Sequence, residues 1–268
     1  MRVAGCDVGS LTAKAVIMQD ADVLSQAVMR GRPRPADSAE AVLQQALELA
    51  DLGRGDLAFC MGTGYGKDQI PFADGVSSEI ACHARGAWWR APTTRTVIDI
   101  GGQDAKAIRL DGDGRVVRYA YNDKCASGTG RFLEIMAQAL EVELEDMGTV
   151  GAGAAETLTI SNQCVIFAET EVVSLVNEGR AVPDIVDALH RAMANRVAAL
   201  ARGIGIEAEV VMTGGVAKNS GVFIALAAGL DSELKALAGF DPQVNGALGA
   251  ALLAAEAVSG GAPETAGK

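Results

Sequence analysis

Two stretches of this sequence share one pattern of residues: Asp7-Val8-Gly9-Ser10-Leu11-Thr12-Ala13-Lys14 and Asp99-Ile100-Gly101-Gly102-Gln103-Asp104-Ala105-Lys106. In each, an acid ends an apolar run, glycines form a turn, and a lysine follows on the returning strand. Glycines let the backbone approach a phosphate closely and leave amide hydrogens free to point at it. Either turn alone is compatible with an ordinary hairpin. Two matched copies favour a repeat that holds the phosphates of a nucleotide from both sides.

The surroundings of the two copies also repeat. Three apolar segments belong to each copy, at 3–8, 13–18 and 23–29 and at 97–100, 105–110 and 115–121. Their lengths and the short turns between them predict three consecutive strands in each half. After the first three, Asp37-Ser38-Ala39-Glu40 predicts the start of a helix through a capping box. The sequence therefore predicts two related α/β units.

Two further glycine clusters come later in the chain. Thr213-Gly214-Gly215-Val216-Ala217-Lys218-Asn219 follows a buried strand and precedes a helix, and Asn245-Gly246 opens the last helix. A helix that begins after glycines offers free amide groups and the positive end of its dipole to an anion. Each cluster alone is a weak indication. The order of all four motifs along the chain is typical of a nucleotide-binding protein.

The composition limits the classes of function. The chain has 268 residues, of which 49% are apolar, so it can bury a full core. The net charge of −11 argues against binding to nucleic acid or to an anionic membrane surface, since both need a basic face. No apolar run approaches the ~20 residues of a membrane span, and the first residues have a strand pattern rather than that of a signal sequence. We therefore expect a cytoplasmic protein.

Five cysteines, an odd number in a chain of this size, do not suggest a disulfide framework. Cys6 and Cys60 lie inside apolar runs, and Cys82 is expected to pack in a helix. Cys125 and Cys164 each precede a helical run, and a helix N-terminus lowers the pKa of a thiol and favours an anionic cluster. Spacing alone leaves two interpretations open, buried small residues or metal ligands, and favours the first.

The motifs, in this order, resemble those of the acetate and sugar kinase, Hsp70 and actin superfamily. Within it, the chain resembles the BadF/BadG/BcrA/BcrD ATPase family over nearly its whole length, most specifically at 99–106, 122–133, 161–169 and 81–87. The resemblance implies an α/β fold of two ribonuclease H-like lobes with ATP in the cleft between them. One lobe is expected to contain 1–94 and the C-terminal helix 246–268, and the other 95–245 with both candidate ligand cysteines.

The resemblance also implies a function. The family includes activators of 2-hydroxyacyl-CoA dehydratases and ATPase subunits of benzoyl-CoA reductases. It implies one [4Fe–4S] cluster shared by two subunits, with Cys125 and Cys164 of each as ligands, which supplies the four thiolates that a cubane cluster needs. Reduced ferredoxin or flavodoxin would donate the electron, and a CoA-ester dehydratase or reductase would receive it. The dimer could be a homodimer or a heterodimer with a paralogous subunit.

The expected nucleotide site draws on all four glycine motifs. Asp7 and Asp99 would hold Mg²⁺ through water, and Gln103 or Asp104 would orient the attacking water, which is mostly a positioning task. The residues expected to contact ATP are Gly9, Ser10, Thr12, Lys14, Gly101, Gly102, Lys106, Gly214, Gly215, Lys218, Asn219 and Gly246.

Two other classes of protein share part of this pattern. A sugar or small-acid kinase of the same superfamily would need a catalytic base near the γ-phosphate, and Asp104 could serve. A kinase has no evident use for two cysteines that precede helices. A chaperone-like or filament-forming protein usually needs further domains, for which the chain has no spare length. The interpretation is therefore an ATP-hydrolysing electron donor of anaerobic metabolism. The segment 122–133 favours the dehydratase activator over the ATPase component of benzoyl-CoA reductase.

Overall fold

The computed structural model describes residues 1–161, 164–230 and 232–260. The strands are β1 (Arg2–Val8), β2 (Thr12–Gln19), β3 (Asp22–Arg30), β4 (Phe59–Thr63), β5 (Gly75–Val76), β6 (Thr96–Ile100), β7 (Ala105–Leu110), β8 (Val116–Asn122), β9 (Val210–Thr213) and β10 (Leu234–Ala236). The helices are α1 (Pro35–Leu49), α2 (Glu79–Arg90), α3 (Gly130–Ala139), α4 (Met147–Gly151), α5 (Val165–Asn177), α6 (Val182–Ile204), α7 (Ser220–Gly229) and α8 (Asn245–Val258). No helix among the described residues is long and apolar enough to cross a membrane.

The chain divides into two compact units. The first contains Met1–Thr94, Leu110–Val117 and, of the described residues, 237–260. The second contains Arg95–Arg109 and Arg118–Ala236. Residues 110–117 and 237–245 thus belong to the first unit, although they fall within the range 95–245 predicted for the second lobe. The last helix ends at Val258, and the part of its predicted range at 261–268 lies outside the described residues.

Each unit contains a five-stranded mixed sheet, and the two sheets have the same plan. The first has the order β3-β2-β1-β4-β5, and the second has the order β10-β9-β6-β7-β8. The central strand of each sheet pairs antiparallel with the next strand along the chain, β1 with β2 and β6 with β7. On its other side it pairs parallel with a later strand, β4 or β9. The predicted α/β fold and its internal repeat are confirmed.

Helices cover both faces of the first sheet. One face of α1 buries Val42, Leu43, Ala46 and Leu47 against β1 and β2. On the other face, α8 packs on β1 and against α2. The crossing of β1 and α8 depends on Gly5, because a Cβ there would collide with the backbone of Ala247 and Ala251. This close approach fixes the start of α8 beside the end of β1.

The second unit has a larger apolar core than the first, and helices on one side of its sheet supply most of that core. The long helix α6 contributes buried residues along its whole length, and α3, α4, α5 and α7 contribute to the same apolar cluster. Helix α3 packs against α5, and α6 packs against α4 and α7. The two helices that follow Cys125 and Cys164 are therefore neighbours in the fold.

Candidate functional site

The repeated sequence pattern forms two matching hairpins. In the first, Asp7 is the strand partner of Lys14, and Lys14 Nζ lies 3.1 Å from Asp7 Oδ2. In the second, Asp99 is the partner of Lys106, and Lys106 Nζ lies 3.5 Å from Asp99 Oδ2. The turns close in the same way, since the amide of the first glycine donates to a carbonyl three residues later at 3.0 Å and 2.9 Å. Because the acid and the lysine have the same spacing in both hairpins, each hairpin forms the same Asp–Lys ion pair.

These charges are buried at the ends of the central strands. Asp7 is 4% exposed, Asp99 2% and Lys106 3%. A buried charge is costly unless it is paired and hydrogen-bonded, so each acid and its lysine stabilise one another. Lys106 Nζ also lies 2.6 Å from Asp104 Oδ2 and is held between two carboxylates. Carboxylates of this kind suit a hydrated divalent cation, and the ammonium groups suit a phosphate.

A third strand adds a Thr-Gly pair to each site, and only the pair at 213–214 belongs to a predicted glycine motif. Asp7 faces Thr63 across β1 and β4, as Asp99 faces Thr213 across β6 and β9. The glycines that follow, Gly64 and Gly214, have φ values of +93° and +88°. The pair that was not predicted is Thr63–Gly64. The same Thr-Gly dipeptide at the end of a strand, as at 213–214, was the signal in the sequence that could have revealed it.

Both of these glycines leave room for an acid. A Cβ on Gly64 would lie 2.5 Å from Asp7 Oδ1, and a Cβ on Gly214 would lie 2.9 Å from Asp99 Oδ1. Their positive φ also disfavours any other residue. In the second unit the threonine adds a hydrogen bond, because Thr213 Oγ1 donates to Asp99 Oδ1 at 2.9 Å. The carboxylates are therefore closely enclosed by backbone and held in fixed orientations.

The other predicted contact residues differ in their exposure and local contacts. Ser10, Gln103 and Lys218 are exposed, and Thr12 is half-buried. Asn219 caps α7, since its Oδ1 accepts from the amide of Val222 at 3.0 Å. Gly246 is buried in the first turn of α8, where a Cβ would lie 3.0 Å from Asp7 Oδ2. Within the first unit the structure thus brings Gly246 to Asp7. Within the second it groups Gly101, Asp104, Lys106 and Gly214 around Asp99.

The second hairpin is joined directly to the start of α3. The amide of Gly130 donates to the carbonyl oxygen of Gly101 at 2.8 Å, and the amide of Arg131 donates to that of Gly102 at 2.7 Å. Cys125 precedes this helix by one turn of chain, and its carbonyl oxygen accepts from Asn122 Nδ2 at 2.7 Å. The glycine turn of the hairpin and the segment of Cys125 are therefore parts of one hydrogen-bonded structure.

The five cysteines fall into two groups. Burial raises the pKa of Cys60 and of Cys82 to about 12, and it raises the pKa of Cys6 well above its usual range, so these thiols stay neutral in the core. Cys125 and Cys164 are partly exposed. Cys164 is the N-cap residue of α5, whereas Cys125 is separated from α3 by a turn. Asn162 and Gln163, in the family-like segment before Cys164, lie outside the described residues.

Known proteins resemble this chain along its whole length. The activator of lactoyl-CoA dehydratase from Anaerotignum propionicum is 44% identical over 96% of this chain and 98% of its own length. The structure of the activator of 2-hydroxyisocaproyl-CoA dehydratase from Clostridium difficile with bound ADPNP is 39% identical, with a TM-score of 0.92 over 100% of this chain and 99% of the other. One subunit of the benzoyl-CoA reductase of Thauera aromatica is 33% identical over 93% of this chain and 91% of its own.

A family model gives the same result. The model described as BadF/BadG/BcrA/BcrD ATPase family matches residues 4–254, a range that includes both hairpins, both partly exposed cysteines and the start of α8. The resemblance inferred from the sequence motifs is thereby confirmed. The chain belongs to the BadF/BadG/BcrA/BcrD ATPase family.

Proposed function

We propose that this protein hydrolyses ATP and uses the cycle to pass a low-potential electron to a CoA-thioester dehydratase. The observation that carries the proposal is that the Gly101–Gly130 and Gly102–Arg131 hydrogen bonds join a phosphate-type hairpin to the start of α3, the helix that follows the partly exposed Cys125. Its relatives that are named as dehydratase activators cover almost all of the chain, which supports the same assignment. Placement of ATP between the two lobes stays a prediction.

The two hairpins would handle the nucleotide. Asp7 and Asp99 would hold Mg²⁺ through its water ligands, because Mg²⁺ keeps most of its hydration shell, and the metal would neutralise phosphate charge. Lys14 and Lys106 would contact phosphate oxygens. Asp104 or the exposed Gln103 beside it would orient the attacking water. The burial of both ion pairs supports these roles, since a fixed carboxylate loses little entropy when it binds.

A [4Fe–4S] cluster would be held by Cys125 and Cys164 of two copies of the chain, and when bound it would supply one-electron chemistry. The number of cysteines available as ligands in one chain supports this proposal. The other three cysteines are buried and protonated, and no group of three or more metal-binding side chains occurs among the described residues of one chain. Four thiolates therefore require a second copy, as a two-fold axis would provide.

The outer face of α5 supports such a dimer. It begins at Cys164 and carries exposed apolar side chains, with Ile166 65% exposed, Phe167 64% and Val173 50%. The remaining exposed positions from 166 to 177 are Thr170, Ser174, Val176 and Asn177, which are uncharged, while the half-buried Glu169 and Glu171 flank them. Several exposed apolar side chains on one helix are typical of an interface. A second copy placed there would bring its own cysteines towards the first pair.

The partners and the cellular place follow from the same proposal. The protein would take its electron from reduced ferredoxin or flavodoxin in the cytoplasm and act in anaerobic metabolism. An alternative within the family is the ATPase component of a benzoyl-CoA reductase, which the similarity to the reductase of Thauera aromatica supports. A small-molecule kinase is the more distant alternative. A phosphorylated product formed from acetate or a sugar in stoichiometric amount with ADP would favour the kinase.

The test compares cysteine variants prepared without oxygen. We expect wild-type protein to bind about four irons and four sulfides per dimer, and Cys125→Ser or Cys164→Ser to lose the absorbance and the reduced-state EPR signal of the cluster. Cys60→Ala, which changes a buried thiol, is the matched control and should keep both signals. All three variants should still bind ADPNP in calorimetry. Equal iron content in wild type and in both serine variants would contradict the electron-donor function.

A further inference from the structure

The outer edge of the second sheet exposes aromatic side chains. Strand β8 stands at one end of the order β10-β9-β6-β7-β8, so only one of its edges is paired among the described strands. Tyr119 and Tyr121 are 44% and 54% exposed, and their rings stack with centroids 6.4 Å apart. They lie two residues apart in an extended strand and therefore share one face of it. An aromatic pair is thus presented to solvent at this edge.

Basic residues accompany the two tyrosines along the chain. The stretch 115–131 contains four basic residues and one acid, a net charge of +3 in a chain whose total is −11. Arg115 and Arg131 form ion pairs with acids just outside this stretch. Arg118 and Lys124 are exposed, and no described residue forms an ion pair with either of them. These two positive charges are therefore available to an acidic partner.

The same edge leads directly to Cys125, the first of the two candidate cluster ligands. Asn122, the last residue of β8, donates from Nδ2 to the carbonyl oxygen of Cys125 at 2.7 Å. The chain from Tyr121 to Cys125 is four residues long and spans at most about 14 Å even when fully extended. Cys125 is itself partly exposed. A protein that docks on the tyrosines would therefore lie close to this thiol.

We propose that the edge of β8, with Arg118, Tyr119, Tyr121 and Lys124, is the docking surface for the acidic protein that delivers the electron. The inference rests on the function proposed above and names the surface through which the cluster is reduced. The carrier loses one electron there and the cluster gains it.

The size and composition of this surface suit such a carrier. Encounters between redox proteins bury a small area, so one edge strand and the turn after it are sufficient. Tyrosine and arginine are enriched at interfaces, and unpaired positive charges steer an acidic partner towards them. Charge complementarity therefore favours an acidic carrier over a second copy of this chain, which presents the same basic residues.

Protection of the sheet edge is a simpler role for the charges alone. Charged residues on an edge strand prevent its pairing with another chain. That role accounts for Arg118 but not for the tyrosines, because exposed apolar surface on an edge strand favours association. A partner that docks transiently accounts for both.

The test measures the reduction of the cluster by stopped flow in protein prepared without oxygen, with a reduced two-cluster bacterial ferredoxin as the carrier. We expect Arg118→Glu and Lys124→Glu each to slow this reduction about tenfold at low ionic strength, and the difference from wild type to shrink at high salt. Tyr119→Ser/Tyr121→Ser should raise the ferredoxin concentration that gives half the maximal rate and keep the salt dependence of wild type. Arg34→Glu, which reverses a charge that is 80% exposed in the first unit, is the control and should match wild type.

Reduction by dithionite separates docking from damage to the cluster, because this small reductant needs no docking surface. All variants should keep the iron content, the ATP hydrolysis and the dithionite rate of wild type. Slower reduction by dithionite in the β8 variants would mean that the substitutions disturb the cluster, and it would overturn the inference. Equal ferredoxin rates in wild type and in every β8 variant would overturn it as well.

Two further outcomes would assign the surface to another partner. If sedimentation shows that the β8 variants dimerise more weakly, the edge is a contact between subunits. If they accept electrons from ferredoxin normally but pass them to a dehydratase more slowly, the edge binds the acceptor. Wild type that dithionite reduces and ferredoxin does not would contradict the docking surface alone. Wild type that neither reduces would contradict the proposed function.

Discussion

At the scale of single residues, the two buried aspartates share their position and their lysine but differ in the rest of their surroundings. Asp99 is held by Lys106, by Thr213 and by the backbone enclosure at Gly214. Asp7 is held by Lys14 and enclosed at Gly64 and Gly246. A carboxylate fixed in this way before the ligand arrives needs little rearrangement when it meets a cation, which is the physical meaning of preorganisation.

The first prediction concerns the charge of these acids. Asp7→Asn or Asp99→Asn keeps the size of the side chain but removes the negative charge that would face Mg²⁺. We expect ATP turnover to fall about 10²- to 10³-fold in each variant, in line with the loss of one preorganised electrostatic contact. Circular dichroism should show the same fold.

Asp113→Asn, whose side chain is 78% exposed, is the control for the loss of one negative charge. It should hydrolyse ATP at the wild-type rate. Full turnover in both Asp7→Asn and Asp99→Asn would mean that the hairpins have no part in catalysis.

The second prediction concerns His190, which is buried in α6. Neither ring nitrogen has a hydrogen-bond partner among the described residues, and a Cβ on Gly221 would collide with the ring. Burial lowers the pKa of His190 from 6.5 to about 4. Between these values the unfolded chain binds a proton that the folded chain does not. The free energy of unfolding therefore falls as the pH falls from 6.5 to about 4.

Denaturant unfolding of wild type and His190→Leu across this pH range measures the effect. The wild type should lose on the order of 2 kcal/mol more than the variant between pH 6.5 and 4. Titration of acidic groups affects both proteins and cancels in the difference. Parallel curves for the two proteins would mean that the folded state protonates His190 freely.

How much of the site could be predicted differs between residues. The eight-residue pattern predicted that a lysine follows each acid on the returning strand, and the structure places Asp7 opposite Lys14 and Asp99 opposite Lys106. The ion pairs between them were not predicted. The contact between His83 and the start of α8 could not be predicted, since 162 residues separate His83 from Asn245 and no local pattern joins them. Gly246 was predicted as a phosphate contact from its place at a helix start, and that role stays a prediction.

At the scale of elements, strands and helix ends were predicted well where a single local sequence signal was present, and less well where two signals competed. The end of α5 at Asn177 agrees with the glycine at 179, whose φ is +77°. The start of α1 was predicted wrongly at Asp37, because the structure begins the helix at Pro35. Proline favours the first turn through its fixed φ, so the capping-box pattern lies inside the helix and caps nothing.

The third prediction concerns the turn after β9. Gly214→Ala would place a Cβ against the backbone of Ile100 at a φ of +88°, so it should destabilise the second unit by about 1–3 kcal/mol. It should also weaken ADPNP binding, since the added methyl group presses on Asp99. Chemical denaturation and calorimetry measure the two effects.

Gly203→Ala is the matched control, because Gly203 lies near the end of α6 and a Cβ there meets nothing within 4 Å. Alanine in a helix should leave the stability unchanged or raise it by up to about 1 kcal/mol. If the two variants are equally stable and bind ADPNP alike, the turn does not depend on its left-handed glycine.

At the scale of the whole molecule, the fourth prediction concerns assembly. A cluster held by Cys125 and Cys164 of two copies, as proposed, would itself be a bond between them, so its removal should loosen the dimer. Sedimentation of anaerobic protein should show a dimer. After exposure to oxygen and an iron chelator, the apparent dissociation constant should rise at least about tenfold, since metal-ligand bonds contribute several kcal/mol to a folded or assembled state.

The variant Cys164→Ser should behave like the chelated protein before any treatment, and Cys60→Ala should behave like untreated wild type. A dimer of the same strength in all samples would place the contact elsewhere and remove the support that the outer face of α5 gives to the proposal. The sequence could suggest this assembly only through the family resemblance, because a single chain would supply only half of the ligands of such a cluster.

The packing of the last helix, α8, on the first sheet has a consequence for the synthesis of the protein. Ribosomes make the chain from its N-terminus, and β1 emerges more than two hundred residues before the helix that covers it through Gly5. The second unit lies between these segments and is complete at Ala236, before α8 exists. One apolar face of the first sheet therefore stays uncovered while the middle part of the sequence, which forms the second unit, is synthesised and folds. Exposed apolar surface of a nascent chain is what chaperones bind, and this face is where they would be needed.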